Sequence, residues 1–355
     1  MKPFAYTRAT SVTEAIAAAS APDAVYLAGG TNLLDLMKGG VSRPSALVDV
    51  TRVPGLDALD LAEDGGATIG ALVRNSDLAY HDAFAARFPA VAEAILSGAS
   101  AQLRNAATTA GNLLQRTRCQ YFYDIASACN KREPGAGCGA IGGLTRPHAV
   151  LGWSDHCIAT HPSDFCVPLV ALDAVVLIEG RAGKREVALE AFYSLPGDTP
   201  ERETVLEPGD LITGLRLPAS ASAFAGHSRY LKVRDRTSYA FALVSAAAAL
   251  RLDGGKIVDA RVALGGVAAK PWRAREAEAI LAGAAPEPDV FAAAAAAALA
   301  DAKPSGDNAY KIELARRAIV RALTLAAAGT PDHLPALPAS PFAARPASSN
   351  GVSHA

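Results

Sequence analysis

Short apolar runs alternate with amphipathic stretches along the first half of the chain, the pattern of strands exchanged with helices. Val25-Tyr26-Leu27-Ala28 and Ala46-Leu47-Val48-Asp49-Val50 read as strands. Ser11-Val12-Thr13-Glu14 carries the capping-box pattern of a helix start, and residues 15–19 continue that helix. Residues 31–38 form a second helix, stopped by Gly39-Gly40. The first fifty or so residues therefore predict strand–helix–strand–helix–strand, an α/β unit with a partly parallel sheet. A second α/β block follows: a strand over 67–72, an amphipathic helix over 85–96, a strand ending at Ile178 and a last one over 211–218. From about Ser228 the order changes to strands over 229–234, 241–252 and 257–264, then helices over 272–282, 289–302 and 310–328. Strands first and helices later predict a separate α+β domain. The expected division is 1–55, 56–225, 226–330, and a flexible Pro/Ala/Ser tail over 331–355.

Composition narrows the function. With 34 basic and 35 acidic residues among 355, the chain lacks the basic excess of a nucleic-acid binder. No apolar run reaches the ~18 residues that cross a bilayer, and the alanine-rich run over 291–300 reads as a helix. The start, Met1-Lys2-Pro3-Phe4-Ala5, has neither a secretory pattern nor a twin arginine.

Two loops have the chemistry of phosphate cradles. Ala28-Gly29-Gly30-Thr31-Asn32 joins a strand to a helix, where paired glycines admit an anion and a helix start offers free N–H groups. Thr108-Thr109-Ala110-Gly111-Asn112 repeats the set of hydroxyls, glycine and amide. Either loop alone reads equally well as a turn; together they can grip both phosphates of a dinucleotide without an arginine. Asp164 is read as a helix cap or as an acceptor for a flavin hydroxyl or ring edge. Lys232 is read as part of a salt-bridged edge or as a cation facing a flavin ring. No hydrolase pattern is present.

The five cysteines fall in one stretch: Cys119, Cys129, Cys138, Cys157 and Cys166. The first four are separated by nine, eight and eighteen residues, without the short knuckle of structural zinc sites. Long loops between thiolates favour an iron–sulfur cluster over zinc, which stays the alternative. Gly135, Gly137, Gly139, Gly142 and Gly143 are expected to free backbone N–H groups for cluster sulfurs, and Lys131 and Arg132 to offset thiolate charge. Cys166 is read as a buried free thiol, and His148, His156 and His161 as hydrogen-bonding or surface groups.

Taken in order, Ala28-Gly29-Gly30-Thr31-Asn32, residues 104–112 and Lys232 resemble the FAD-binding subunits of molybdenum hydroxylases, over the chain to about Ala328. The cysteine-bearing insertion over 113–162 is similar to that of the periplasmic aldehyde oxidoreductases of the family, whose FAD subunit also holds a 4Fe–4S cluster. The resemblance implies an α+β chain: two α/β FAD-binding subdomains of the vanillyl-alcohol-oxidase/PCMH type, then a smaller domain with a three-stranded antiparallel sheet and helices. It implies FAD contacts at Leu27, Ala28, Gly29, Gly30, Thr31, Asn32, Leu33, Leu34, Thr108, Gly111, Asn112, Asp164, Ile212 and Lys232. It implies cluster ligation by Cys119, Cys129, Cys138 and Cys157. It further implies electrons arriving from a 2Fe–2S subunit, aldehyde oxidation on a molybdopterin subunit, and an external acceptor. The loop Pro196-Gly197-Asp198-Thr199 is expected over the flavin, without the tyrosine some relatives place there. The complex is expected in the periplasm, as passenger of a signal-bearing partner, or in the cytoplasm. A zinc-bearing scaffold and a free-standing flavin oxidase are the competing readings.

Overall fold

A computed structural model describes residues 1–332, so the expected tail lies, beyond Asp332, outside the described residues. The first sheet holds β1 (Ala5–Arg8), β2 (Ala24–Leu27) and β3 (Ala46–Asp49) in the order β1-β3-β2, all parallel. The helix Val12–Ala19 crosses between β1 and β2 and buries Ala15, Ile16 and Ala19. Ser11 accepts from the Glu14 N–H at 3.1 Å, as the capping pattern predicts. The Glu14 carboxylate turns instead to the N–H and hydroxyl of Thr10, at 2.7 and 2.8 Å.

The second sheet is wholly antiparallel, in the order β4-β5-β8-β6-β7: β4 (Leu59–Leu61), β5 (Ala67–Gly70), β6 (Val175–Gly180), β7 (Gly183–Ala188) and β8 (Leu211–Leu217). β7 escapes the apolar pattern because Gly183-Lys184-Arg185-Glu186 is an exposed edge, held by pairing with β6 rather than by burial. The helix expected over 85–96 is two helices, Asp82–Arg87 and Pro89–Ser97. Pro89 has no N–H and drives Phe88 out of the helical region, to φ −132° and ψ 61°, so the first helix ends there and the second starts on the proline.

The last sheet has the order β12-β11-β10-β9: β9 (Ser228–Val233), β10 (Val244–Asp253), β11 (Lys256–Gly265) and the two-residue β12 (Trp272–Arg273). The expected three antiparallel strands thus gain a short fourth, which takes the place of the first turn of the helix expected over 272–282; that helix runs Arg275–Leu281. Helix Tyr310–Ala327 packs on β10, and Pro288–Ala298 packs on that helix and on Arg275–Leu281, burying small residues such as Ala294, Ala295, Ala315, Ala318 and Ala322. Alanine allows close helix–sheet approach and carries little side-chain entropy cost, which accounts for its heavy use here. No helix among the described residues is long and apolar enough to cross a membrane.

Arg273 welds the last domain to the second. Its side chain is 1% exposed and pairs with Glu278, donates to the Val170 carbonyl at 2.7 Å and meets Asp173 at 3.0 Å. Removing one partner of a buried pair leaves the other charge stranded. Arg273→Met is expected to cost about 3–5 kcal/mol in denaturant unfolding. Adding Glu278→Gln is expected to recover part of that loss.

Candidate functional site

A cavity of about 570 Å³ opens where the three sheets' loops converge, a size suited to a large organic cofactor. Its wall takes Thr31 and Asn32 from the first glycine loop, Gly111 and Asn112 from the second, and Asp164 and Lys232 from the segments beyond. Elements far apart in sequence therefore meet at one site.

The loops are held together by a close backbone approach. A Cβ on Gly29 would lie 2.0 Å from the Ala106 carbonyl oxygen, so only glycine lets the first loop rest on residues 106–107. Gly30 takes a φ of +69° to turn the chain into the helix Leu33–Lys38. Thr108 caps the helix Thr109–Leu113 by accepting from the Gly111 N–H at 3.3 Å, while the Thr109 hydroxyl donates to the Gly70 carbonyl at 2.7 Å. Leu27, Ala28, Gly29, Gly30, Leu33, Leu34 and Thr108 are not on the cavity wall; they shape the loops that are. Ile212 lies in β8, buried in the core of the second sheet and paired with Ile178, also off the wall.

At the other end Asp164 is the hub. Its Oδ1 accepts from the Tyr230 hydroxyl at 2.5 Å and its Oδ2 from Lys232 Nζ at 2.7 Å, with the two charged side chains 9% and 3% exposed. Lys232 also donates to the Ser97 carbonyl at 3.2 Å, so it ties β9 to the end of the helix Pro89–Ser97. Burial, followed by the neighbouring Asp164 charge, holds the Tyr230 phenol well above its ordinary range.

Residues not singled out in the sequence complete the wall: Asn75, Arg104, Gln115, Arg118 and Phe241. The arginines correct the expectation of a cradle without one. Arg118 stacks on Phe241 at 4.7 Å, and Arg104 donates to the Gly98 carbonyl at 2.6 Å. Ala99 and Tyr239, both on the wall, hold φ values of +51° and +53° that non-glycine residues rarely adopt. Three buried polar atoms of this wall have no protein partner: Asn32 Nδ2, Asn75 Oδ1 and Arg104 Nε. Buried amides are normally satisfied, so these atoms mark where a polar ligand bonds. A dinucleotide fits that donor and acceptor set.

The insertion builds a second centre. Cys119, Cys129, Cys138 and Cys157 line one small crevice, and all are free thiols. A one-residue antiparallel bridge joins Cys129 to Cys138, and a second, Ser154 with Cys157, closes a tight turn at the fourth cysteine. Thiolates on one zinc ion at about 2.3 Å would crowd within about 4 Å of each other. Among the described residues no group of three or more His, Cys, Asp or Glu is gathered closely enough to hold a metal ion as it stands. Burial pushes the Cys119 thiol up to about 11 and raises Cys157, the latter partly offset by Lys131.

Several finer expectations for the insertion change. The Gly137, Gly139 and Gly143 N–H groups donate to Asn130 Oδ1, the Ala128 carbonyl and the Ala140 carbonyl, so the loop itself consumes them. Arg132 donates to the Tyr121 and Phe122 carbonyls at 2.9 and 2.8 Å, bracing the loop. Lys131 pairs with Glu203 at 2.9 Å. The loop 196–199 packs on the insertion, with the Gly197 carbonyl accepting from Ser154 at 2.7 Å, and contributes nothing to the cavity wall. Cys166 is fully buried beside the Tyr193 hydroxyl at 3.2 Å. His156 is half exposed near Asp198, whereas burial keeps His148 and His161 below the usual imidazole range, His161 at about 4.

Such a site, between a glycine-loop subdomain and an α+β domain, defines a flavin-binding chain. Residues 2–220 match the family described as FAD binding domain in molybdopterin dehydrogenase, and residues 229–326 the CO dehydrogenase flavoprotein C-terminal domain. The chain belongs to this family of FAD-binding medium subunits of molybdenum hydroxylases. It is 50% identical to the aldehyde oxidoreductase FAD-binding subunit PaoB of Escherichia coli, over 92% of this chain and 99% of that one. It is 26% identical to the glyceraldehyde dehydrogenase medium chain of Sulfolobus acidocaldarius, over 91% of this chain and 96% of that one. Among solved structures, a chain of the Hydrogenophaga pseudoflava carbon monoxide dehydrogenase aligns with a TM-score of 0.72 at 30% identity, covering 92% of this chain and 98% of that one.

Asp164→Asn strands the buried Lys232 cation. It is expected to lower stability by about 3–5 kcal/mol and to reduce FAD per polypeptide, read from denaturant unfolding and from the flavin-to-protein absorbance ratio.

Proposed function

We propose that this chain is the FAD-binding electron-transfer subunit of a molybdenum-dependent aldehyde oxidoreductase complex. The observation that carries the reading is the cavity wall, where both glycine loops, Asn32 and Asn75 with their unpartnered Nδ2 and Oδ1 atoms, and the Asp164–Lys232 pair line one space. Identity of 50% along nearly all of an aldehyde oxidoreductase FAD subunit supports the substrate class. FAD, when bound, supplies the redox chemistry. Thr31, Asn32, Gly111 and Asn112 bind its phosphate and ribityl groups, and Leu27, Ala28, Gly29, Gly30, Leu33, Leu34 and Thr108 hold those loops in place. Ile212 backs the second subdomain from its core. Asp164 orients a hydroxyl or ring atom, and Lys232 sets positive charge near the ring. Aldehyde oxidation belongs to a molybdopterin partner, and a 2Fe–2S partner delivers electrons that leave for an external acceptor.

The cysteine crevice is the seat of a 4Fe–4S cluster on Cys119, Cys129, Cys138 and Cys157. Convergence of four free thiols on one crevice supports a shared ligand set. The test is iron, acid-labile sulfide and FAD on the anaerobically purified complex, wild type against Cys138→Ser. The expected difference is about four iron and four sulfide per FAD. Unchanged iron, or zinc in its place, overturns the cluster and leaves the flavin reading standing. Protein without flavin overturns both.

A further inference from the structure

His148 stands apart from the groups used so far. Its Nε2 lies 3.2 Å from Cys119 Sγ, while its Nδ1 is buried and has no protein partner. A small cavity of about 60 Å³ runs between the cysteine crevice and the flavin cavity, lined by Cys119, His148, Ser245, Asp164 and Phe241. Ser245 Oγ on the same wall is also unpartnered, so the space has both the room and the polar groups to hold ordered water.

A neutral imidazole has one N–H and one bare nitrogen. A thiolate bound to a cluster carries no proton, so the 3.2 Å contact is a hydrogen bond only in the tautomer with the proton on Nε2, for which Nδ1 accepts from water. The His148 backbone is pinned on every side. Its N–H donates to the Thr145 carbonyl at 2.9 Å. Its carbonyl accepts from Lys311 Nζ at 2.8 Å and Asn308 Nδ2 at 3.0 Å. Lys311 also holds the Pro147 carbonyl at 2.9 Å and Asn308 the Ala149 carbonyl at 3.1 Å, and both side chains are fully buried.

We propose that His148 is a redox-positioning residue: its Nε2–H donates to the Cys119 thiolate and raises the potential of the cluster that the cysteines hold, with Lys311 and Asn308 fixing its aim. This rests on the cluster reading above. A hydrogen bond to a ligand sulfur stabilises the form with more negative charge, which is the reduced one. His148 is therefore a donor to the ligand and not itself a ligand.

The experiment uses the whole complex, with His148→Phe, which removes the donor and keeps a planar ring, and His148→Gln, which restores an N–H. Cluster potential is read by EPR-monitored redox titration, with iron and FAD counted alongside. The expected result is a lower cluster potential in His148→Phe, recovery towards wild type in His148→Gln, and an unchanged flavin potential. An unchanged cluster potential at full iron content overturns the role of His148 while leaving the cluster in place. Wild-type complex lacking the cysteine-bound iron overturns both. If His148→Phe takes up no iron, electron–nuclear double resonance on the reduced wild-type complex with ¹⁵N-histidine decides. A weak nitrogen coupling supports the donor; no coupling, or one large enough for direct ligation, overturns it.

Discussion

The buried pair of Asp164 and Lys232 is the constraint on which the site depends. A carboxylate and an ammonium taken out of water lose hydration that is recovered only if every lone pair and proton finds a partner. Here Tyr230 takes the other carboxylate oxygen and the Ser97 carbonyl takes a second ammonium proton. Satisfying the pair thus requires three segments to be in register: the chain leaving the insertion, strand β9, and the end of the helix Pro89–Ser97. Those same segments form the far wall of the large cavity. A domain displaced by an ångström would break the pair before it closed the cavity, so the pair sets the spacing of the cofactor site.

The insertion is braced from all three sheets' domains, which is unusual for a segment with so little regular structure. Cys129 and Phe122 pack on Leu36 of the first subdomain, and the Arg116 N–H donates to Asn32 Oδ1 at 2.8 Å. Lys131 and Arg116 both pair with Glu203 of the second. Val150, Leu151 and His161 donate backbone N–H groups to Val267 and Ala268 of the third. Backbone polar groups in an irregular buried segment must find partners one at a time. Gly137, Gly139 and Gly143 spend their N–H groups on that local accounting.

Elements with a one-dimensional signature were legible in the sequence. Strand β3, the long strands β10 and β11 and the helix Tyr310–Ala327 follow directly from apolar spacing, because each buries a face of its own. Strand β7 was not legible, since its stability comes from a neighbour. The break at Phe88 was available in Pro89 but is masked by the apolar run around it. At the site, the glycine loops and the cysteines carry residue types whose chemistry is narrow. Asn75, Arg104 and Arg118 do not: an asparagine or arginine in a loop has many uses, and only the fold shows that these three face the same space as Thr31. The loop 196–199 illustrates the reverse case, with a turn sequence that fits a flavin cover as well as it fits the bracing of an insertion.

The cysteine-bearing segment leaves and rejoins the chain at the flavin cavity. Residue 113 ends the helix capped by Thr108, and Asp164 begins the return to the flavin wall, so an excursion between them starts and finishes at the cavity. Any group held by Cys119 is then separated from the flavin wall by the small space bounded by His148, Phe241 and Asp164. A site appended elsewhere on the surface would need its own path to the flavin. By splitting the chain at this point, the fold gives the cysteines a shared polar wall with the cavity. Lys311 and Asn308, borrowed from the last domain, keep that wall from collapsing.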